Sequence, residues 1–318
     1  VLMSGMSKGL DEEVSRIVAS FHADSWVVTQ GASGPFTANK FLSSDDVHRV
    51  RSAAGVKRAA PMVVARATTG TTSLKDVNLI GYEPRSISAP KISEGRAANR
   101  GGEVVVDSQL GVDLGSTIRL NGRNERVVGK ADDLRYNFGV NTVFMTLADA
   151  QDLTFSGQPL ASAVVVRGRP TESLPGLRVL SNQQVEQDLR RPAKSGKSTI
   201  DIIQYLLWFV AAGIIASIVY LTALERTRDF AVLKATGASN ATLFGALLMQ
   251  SIVLSVGAAL VAVVLALLLS PLFPFRMAIG PSSYGLLAII SVVVGTLASL
   301  AGLRRAVGVD PALAFGGA

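Results

Sequence analysis

The 318-residue chain contains no cysteine. That excludes disulfides, thiolate metal sites and cysteine nucleophiles. Histidine is nearly as scarce. His22 and His48 stand far apart, and neither has a second ligand at a metal spacing such as i, i+4. Both read as surface residues. Charged residues make up 17% and aromatics 6%, where a soluble globular chain carries roughly a quarter charged. With a mean hydropathy of +0.37, this composition suits a chain that is part soluble domain and part membrane. The net charge is +7. Without interleaved aromatics, that charge fits anionic lipid or a cell-wall polymer better than nucleic acid.

Catalytic signatures are missing too. "SGKST" at Ser195–Thr199 contains the Gly-Lys-Ser tail of a P-loop. A P-loop needs a further Gly five residues ahead of its second Gly, so that backbone N–H groups wrap the phosphates. Arg191 occupies that position. No buried strand precedes the segment, and an apolar run follows it. It reads as a basic hinge at a membrane surface, with Lys194 and Lys197 reaching lipid head groups. "GASGPF" at Gly31 lacks dinucleotide spacing and reads as a loop. Asp45-Asp46 and Asp132-Asp133 are adjacent pairs whose side chains diverge, so capping and solvated loops explain them better than acid/base chemistry. No serine stands in a hydrolase pattern. The chain is read as a non-enzyme, with no cofactor of its own.

Residues 1–198 carry mixed helix and strand signals. "DEEVSRIVASF" places Val14, Ile17, Val18 and Phe21 on one helical face. "DSWVVTQG" reads as a strand ending in a turn. "LSSDDVHRVRSAAGV" reads as a short helix with Ser43 and Asp46 at capping-box spacing. Six β-branched runs follow between Lys57 and Gly168: "PMVVARATTG", "DVNLIGY", "GEVVVDS", "STIRLNGRNERVVGK", "NTVFMTL" and "SAVVVRG". Asn121-Gly122 marks a hairpin turn. Thr146 and Asp149 mark another helix start.

From Asp201 the texture changes. Ile202–Leu224, Leu243–Leu269 and Tyr284–Leu303 hold no charged residue. Each has the roughly 20 residues that about 30 Å of hydrocarbon requires. Three transmembrane helices are expected, at 199–224, 242–270 and 283–303. Arg226, Arg228 and Lys234 lie in the first link (225–241), and Arg304 and Arg305 in the tail (304–318). The second link (271–282) holds only Arg276. The positive-inside rule puts the first link and the tail in the cytoplasm and residues 1–198 outside it. The spans bury no ionisable group of the kind ion-coupled carriers use, so the energy source must lie in a partner. Gln250 and the small residues Gly213, Ala216, Ser217, Ser255, Gly257 and Ala258 read as helix packing.

The first link is longer than a connector needs to be. Phe230, Val232, Leu233 and Ala235 mix with Arg228, Asp229 and Lys234, and the run stops at Gly237. This reads as a short amphipathic helix at the cytoplasmic face, with Ser239 or Asn240 capping the next helix.

Here the chain resembles the MacB/FtsX-like permeases of ABC transporters. Their mark is a run of the type R-x-E-I-x-x-L-K-A-[LI]-G-A. Leu233, Lys234, Ala235, Gly237 and Ala238 match it and Arg228 supplies its Arg one position late, while Asp229, Phe230 and Thr236 depart from it. The tail "GLRRAVGVDPALAFGG" resembles the family's ending, and the small outer domain resembles the DevC-like subgroup. The resemblance implies an α+β extracytoplasmic domain, a MacB-like periplasmic core, joined to an all-α transmembrane region in the plasma membrane. Because the family has four spans, it implies a fourth ahead of Val1. It implies a separate ABC ATPase subunit, which binds ATP and Mg, and a second permease copy as a homodimer or a heterodimer with a paralogue. Membrane lipids and an extracytoplasmic adaptor or hydrolase complete the implied partners. The link becomes a coupling helix, with Glu225, Arg226, Arg228, Asp229, Phe230, Val232, Leu233, Lys234, Gly237 and Ala238 facing the ATPase. Two functions follow: export or extraction of a lipid, peptide or lipoprotein, or signalling that activates a cell-wall hydrolase.

Overall fold

The computed structural model describes residues 2–70, 74–132, 134–135, 139–225, 229, 232–233, 236–269, 289, 292–293 and 296–297. The chain divides into two units, Leu10–Gly196 and Val1–Gly9 with Lys197–Ala318.

Local chemistry accounts for most elements of the first unit. Helix α1 (Leu2–Ser20) carries the apolar stripe read above. Val14, Ile17, Val18 and, just past its end, Phe21 are all buried. Strand β1 (Ser25–Thr29) follows. Helix α2 (Ser44–Ser52) starts at a complete capping box. Ser43 Oγ accepts from the Asp46 N–H at 3.2 Å, and Asp46 accepts the Ser43 N–H at 2.9 Å. Strands β2 (Val56–Thr69), β3 (Lys75–Tyr82), β4 (Glu94–Gly95) and β5 (Glu103–Asp107) come next. Strands β6 (Thr117–Leu120) and β7 (Arg123–Ala131) form the expected hairpin. Asn121 and Gly122 have φ of 45° and 89°, the positive pair that a type I′ turn requires. Strand β8 (Thr142–Thr146) leads into helix α3 (Leu147–Phe155), which Thr146 caps through the Asp149 N–H. Strands β9 (Ala163–Gly168) and β10 (Leu177–Leu180) complete the set.

The strands form one mixed sheet in the order β10-β1-β9-β2-β3-β8-β5-β7-β4. Strand β2 serves two regions. Its first half pairs with β9 and its second half with β3. Strand β6 pairs with both β7 and the end of β2, through Thr69 and Leu120. The path β2-β3-β8-β5-β7-β6 therefore returns to β2 as a ring of six strands.

Most strands are covered on both faces, so their apolar runs are uninterrupted instead of alternating. In β1, Trp26 and Val28 join the core lined by α1, whereas Val27 packs with Val47 and Val50 of α2. In β5, Val104 and Val106 point into the ring and Val105 points to the other core.

Helix α4 runs Asn182–Glu225 without a break and contains Pro192. Helix α5 runs Asn240–Leu269. In each of the three uncharged runs some positions are described by backbone alone or not at all. Counted on the described residues, no helix is long and apolar enough to cross a membrane. Asp133, in one of the adjacent acidic pairs, also lies outside the described residues.

Candidate functional site

The first link lies between the ends of α4 and α5. Glu225 closes α4 and is exposed. Asp229, Val232 and Leu233 are helical. Arg226, Arg228, Phe230 and Lys234 lie outside the described residues. Val232 and Leu233 are 49% and 47% exposed, large aliphatic side chains left in the open.

The end of this turn is chemically specified. Gly237 has φ of 94°. The Ala238 N–H donates to the Leu233 carbonyl at 2.9 Å, and the Thr236 N–H donates to the Val232 carbonyl at 3.0 Å. A bond that skips back over five residues across a left-handed glycine is the Schellman arrangement. The Thr236 hydroxyl donates to the Leu233 carbonyl as well, at 2.9 Å. Ser239, not Asn240, takes the cap of α5. Its Oγ accepts the Thr242 N–H at 3.2 Å. The sequence therefore builds a short helical turn, a sharp stop and a fresh helix start within a few residues.

The P-loop fragment does not form a P-loop. Ser195–Thr199 lies inside α4, and its backbone is helical instead of the hinge read from sequence. Within a helix each N–H points to the carbonyl four residues back, so none is left to wrap a phosphate. Asp45 and Asp46 act as expected of a helix start. Among the described residues no cluster of His, Cys, Asp and Glu could hold a metal ion, and His22 and His48 are exposed.

Three buried carboxylates among the described residues, Asp107, Glu125 and Asp188, were not picked out from sequence. Asp188, on α4, is 1% exposed. It accepts the N–H groups of Phe36 at 2.9 Å and Thr37 at 3.2 Å, together with the Thr37 hydroxyl. "GASGPF" is thus a loop, as read, and α4 holds it. The signal was present, since Asp188 falls in phase with the buried Val185 and Leu189 on one helical stripe. Glu125, on β7, is 4% exposed and alternates in phase with Val127 toward the ring interior. Its Oε2 has no hydrogen-bond partner among the described residues. Burial pushes its pKa up, the Asp149 charge adds to this, and Arg123 opposes it. Glu103 behaves the other way. Arg96 grips its carboxylate from two sides, and its pKa falls to about 2.

The comparisons with known proteins join these parts. The family model described as MacB-like periplasmic core domain matches residues 1–178, and that described as FtsX-like permease C-terminal matches residues 202–311. An uncharacterized ABC transporter permease of Mycobacterium tuberculosis is 38% identical over the whole chain and 91% of its own length. A second from that species is 37% identical over the same shares. A putative hemin transport system permease protein of Staphylococcus haemolyticus is 20% identical, again over the whole chain and 91% of its own length. The crystal structure of the periplasmic region of MacB from Actinobacillus actinomycetemcomitans is similar over 53% of this chain and 93% of that one, at 12% identity and a TM-score of 0.39. The chain belongs to the MacB/FtsX-like family and is a permease subunit of an ABC transporter.

Proposed function

We propose that this permease carries ATP-driven motion from a separate ATPase subunit to its N-terminal domain, for export or extraction of a lipid, peptide or lipoprotein. The uncharged runs Ile202–Leu224, Leu243–Leu269 and Tyr284–Leu303 cross the plasma membrane, with the N-terminal domain outside the cytoplasm. Two permease copies form the membrane unit, and ATP and Mg are bound by the partner ATPase alone.

The observation that carries this reading is the link. Val232 and Leu233 stand exposed on a turn stopped at Gly237 and followed at once by a capped helix. Two open aliphatic side chains beside charged neighbours have the composition of a protein contact, in which apolar anchors fill a groove and charges set register. Phe230 adds a third anchor. Arg226, Arg228, Asp229 and Lys234 supply the charges. Helix α4 begins at the N-terminal domain and ends at Glu225, beside this contact. In this reading α4 carries a push on the link.

The test is Leu233→Asp in the reconstituted complex. Permease-stimulated ATP hydrolysis is expected to fall to the level of the ATPase alone, with helix content unchanged. Normal stimulated turnover in that variant would overturn the assignment of the link.

A further inference from the structure

Within the N-terminal domain, Val185 and Leu189 seat α4 in the core, and Asn182 at its start accepts the Trp26 Nε1–H at 2.8 Å and donates to the Ala23 carbonyl at 2.9 Å. Beyond these, α4 is tied to its surroundings in two ways. The first is a set of half-buried bonds to α1. Arg190 pairs with Asp11 at 2.7 Å, and Ser15 donates to Glu186 at 3.2 Å. The second is buried. Asp188 takes three donors from one short loop, the Phe36 N–H, the Thr37 N–H and the Thr37 hydroxyl. Gly34 of the same loop is pressed against it so closely that a Cβ there would lie 2.1 Å from the Asp188 Cγ. The loop's Phe36 ring packs near Phe21 and Trp26, with centroids 6.4 Å and 6.0 Å away. Arg178 of β10 holds the loop's far side through the carbonyls of Ala32 and Ser33.

We infer that Asp188 is the joint through which α4 drives the Gly31–Thr37 loop, making this loop the first moving part of the N-terminal domain. The inference rests on the proposed function, in which α4 carries the motion. The chemistry favours this point over the α1 contacts. A buried carboxylate with three donors gives them up only at a full desolvation cost, whereas half-exposed ion pairs exchange with solvent more cheaply. When α4 shifts, the surface pairs slip and the loop follows Asp188. Asp188 is a positioning residue here; no substrate contact is assigned to it.

The absence of native cysteine allows a direct test. Spin-label pairs are placed at Gln187 and His48, reporting α4, and at Ser33 and His48, reporting the loop. Distances are compared with and without trapped ATP in the full complex. Both distances are expected to shift in the otherwise native chain. In Asp188→Ala the α4 shift should persist and the loop shift disappear, with ATP hydrolysis still stimulated. Gly34→Ala, which breaks the same contact from the loop side, should do likewise and covers the case in which Asp188→Ala does not fold. Asp188→Glu should restore part of the loop shift. A loop that still follows α4 in the variants overturns the inference and leaves the proposed function standing. So does a loop that does not shift in the native chain while α4 does. A complex without stimulated hydrolysis overturns the proposed function, and the inference with it.

Discussion

The Ala238 N–H reaches back across Gly237 to the Leu233 carbonyl at 2.9 Å. One bond thus ties the exposed Leu233 to the glycine stop of the link. Gly237 adopts φ of 94°, which costs a side-chain-bearing residue about 1–2 kcal/mol. Gly237→Ala should therefore loosen the stop and misdirect Leu233. Stimulated ATP hydrolysis is expected to drop several-fold while binding of the ATPase, measured by co-purification, weakens less. An unchanged hydrolysis rate would show that the turn does not orient the link.

Lys197 sits in the P-loop-like segment, inside α4. If no phosphate binds there, Lys197→Met leaves the ATP dependence of the complex as it was. A raised KM for ATP in that variant would contradict the helical reading.

Glu125 is buried with one oxygen unpartnered. Its raised pKa means that the folded chain holds this proton more tightly than the unfolded chain does. Stability is therefore lost as pH rises from the ordinary carboxylate range through the raised value. Glu125→Gln keeps the shape and removes the charge. It should stabilise the protein by about 1 kcal/mol at neutral pH, with the gain vanishing in acid. Thermal unfolding followed at two pH values checks this, and destabilisation at neutral pH would refute it.

The Arg96–Glu103 pair carries the opposite sign. Arg96 draws the Glu103 pKa down to about 2, so its stabilisation is full above the ordinary carboxylate range. It is lost as pH falls toward that lowered value. Glu103→Gln should lower the melting temperature at neutral pH and narrow the gap in acid. A gap independent of pH would mean that packing, not charge, sets the effect.

Gly81 of β3 faces α3 so closely that a Cβ would lie 2.2 Å from the Ala150 Cβ. Neither backbone can yield cheaply. Gly81→Ala is expected to destabilise the N-terminal domain by about 1–3 kcal/mol, read as an earlier thermal transition. Wild-type stability would mean that α3 is not seated on the strand.

Much of the fold was legible where chemistry is local. The Ser43–Asp46 box, the Thr146 cap and the Asn121-Gly122 turn each act between residues a few positions apart, so spacing alone reveals them. The turn that ends the first link was legible for the same reason. It is a continuous run, and its stop at Gly237 needs only a glycine with positive φ. Even so, the choice of Ser239 over Asn240 as the cap was settled by geometry. Strands β4 and β10 were not legible, because "EG" and "LRVL" are too short to carry a periodic signal and exist by pairing with β7 and β1. Glu125 and Asp188 were visible in phase with buried neighbours, but phase does not say what a buried carboxylate meets.

The sequence by itself determined the local grammar of this protein: where helices start and stop, which runs are strands, which stretches are free of charge, and the family to which the motif points. Only the tertiary structure decided the closing of β6 onto β2, the division of β2 between β9 and β3, and the Asp188 clamp on a loop about 150 positions away. The physical reason is range. Capping and turn preferences act within a few residues and leave a pattern, whereas strand partners and buried donors are chosen by the whole fold.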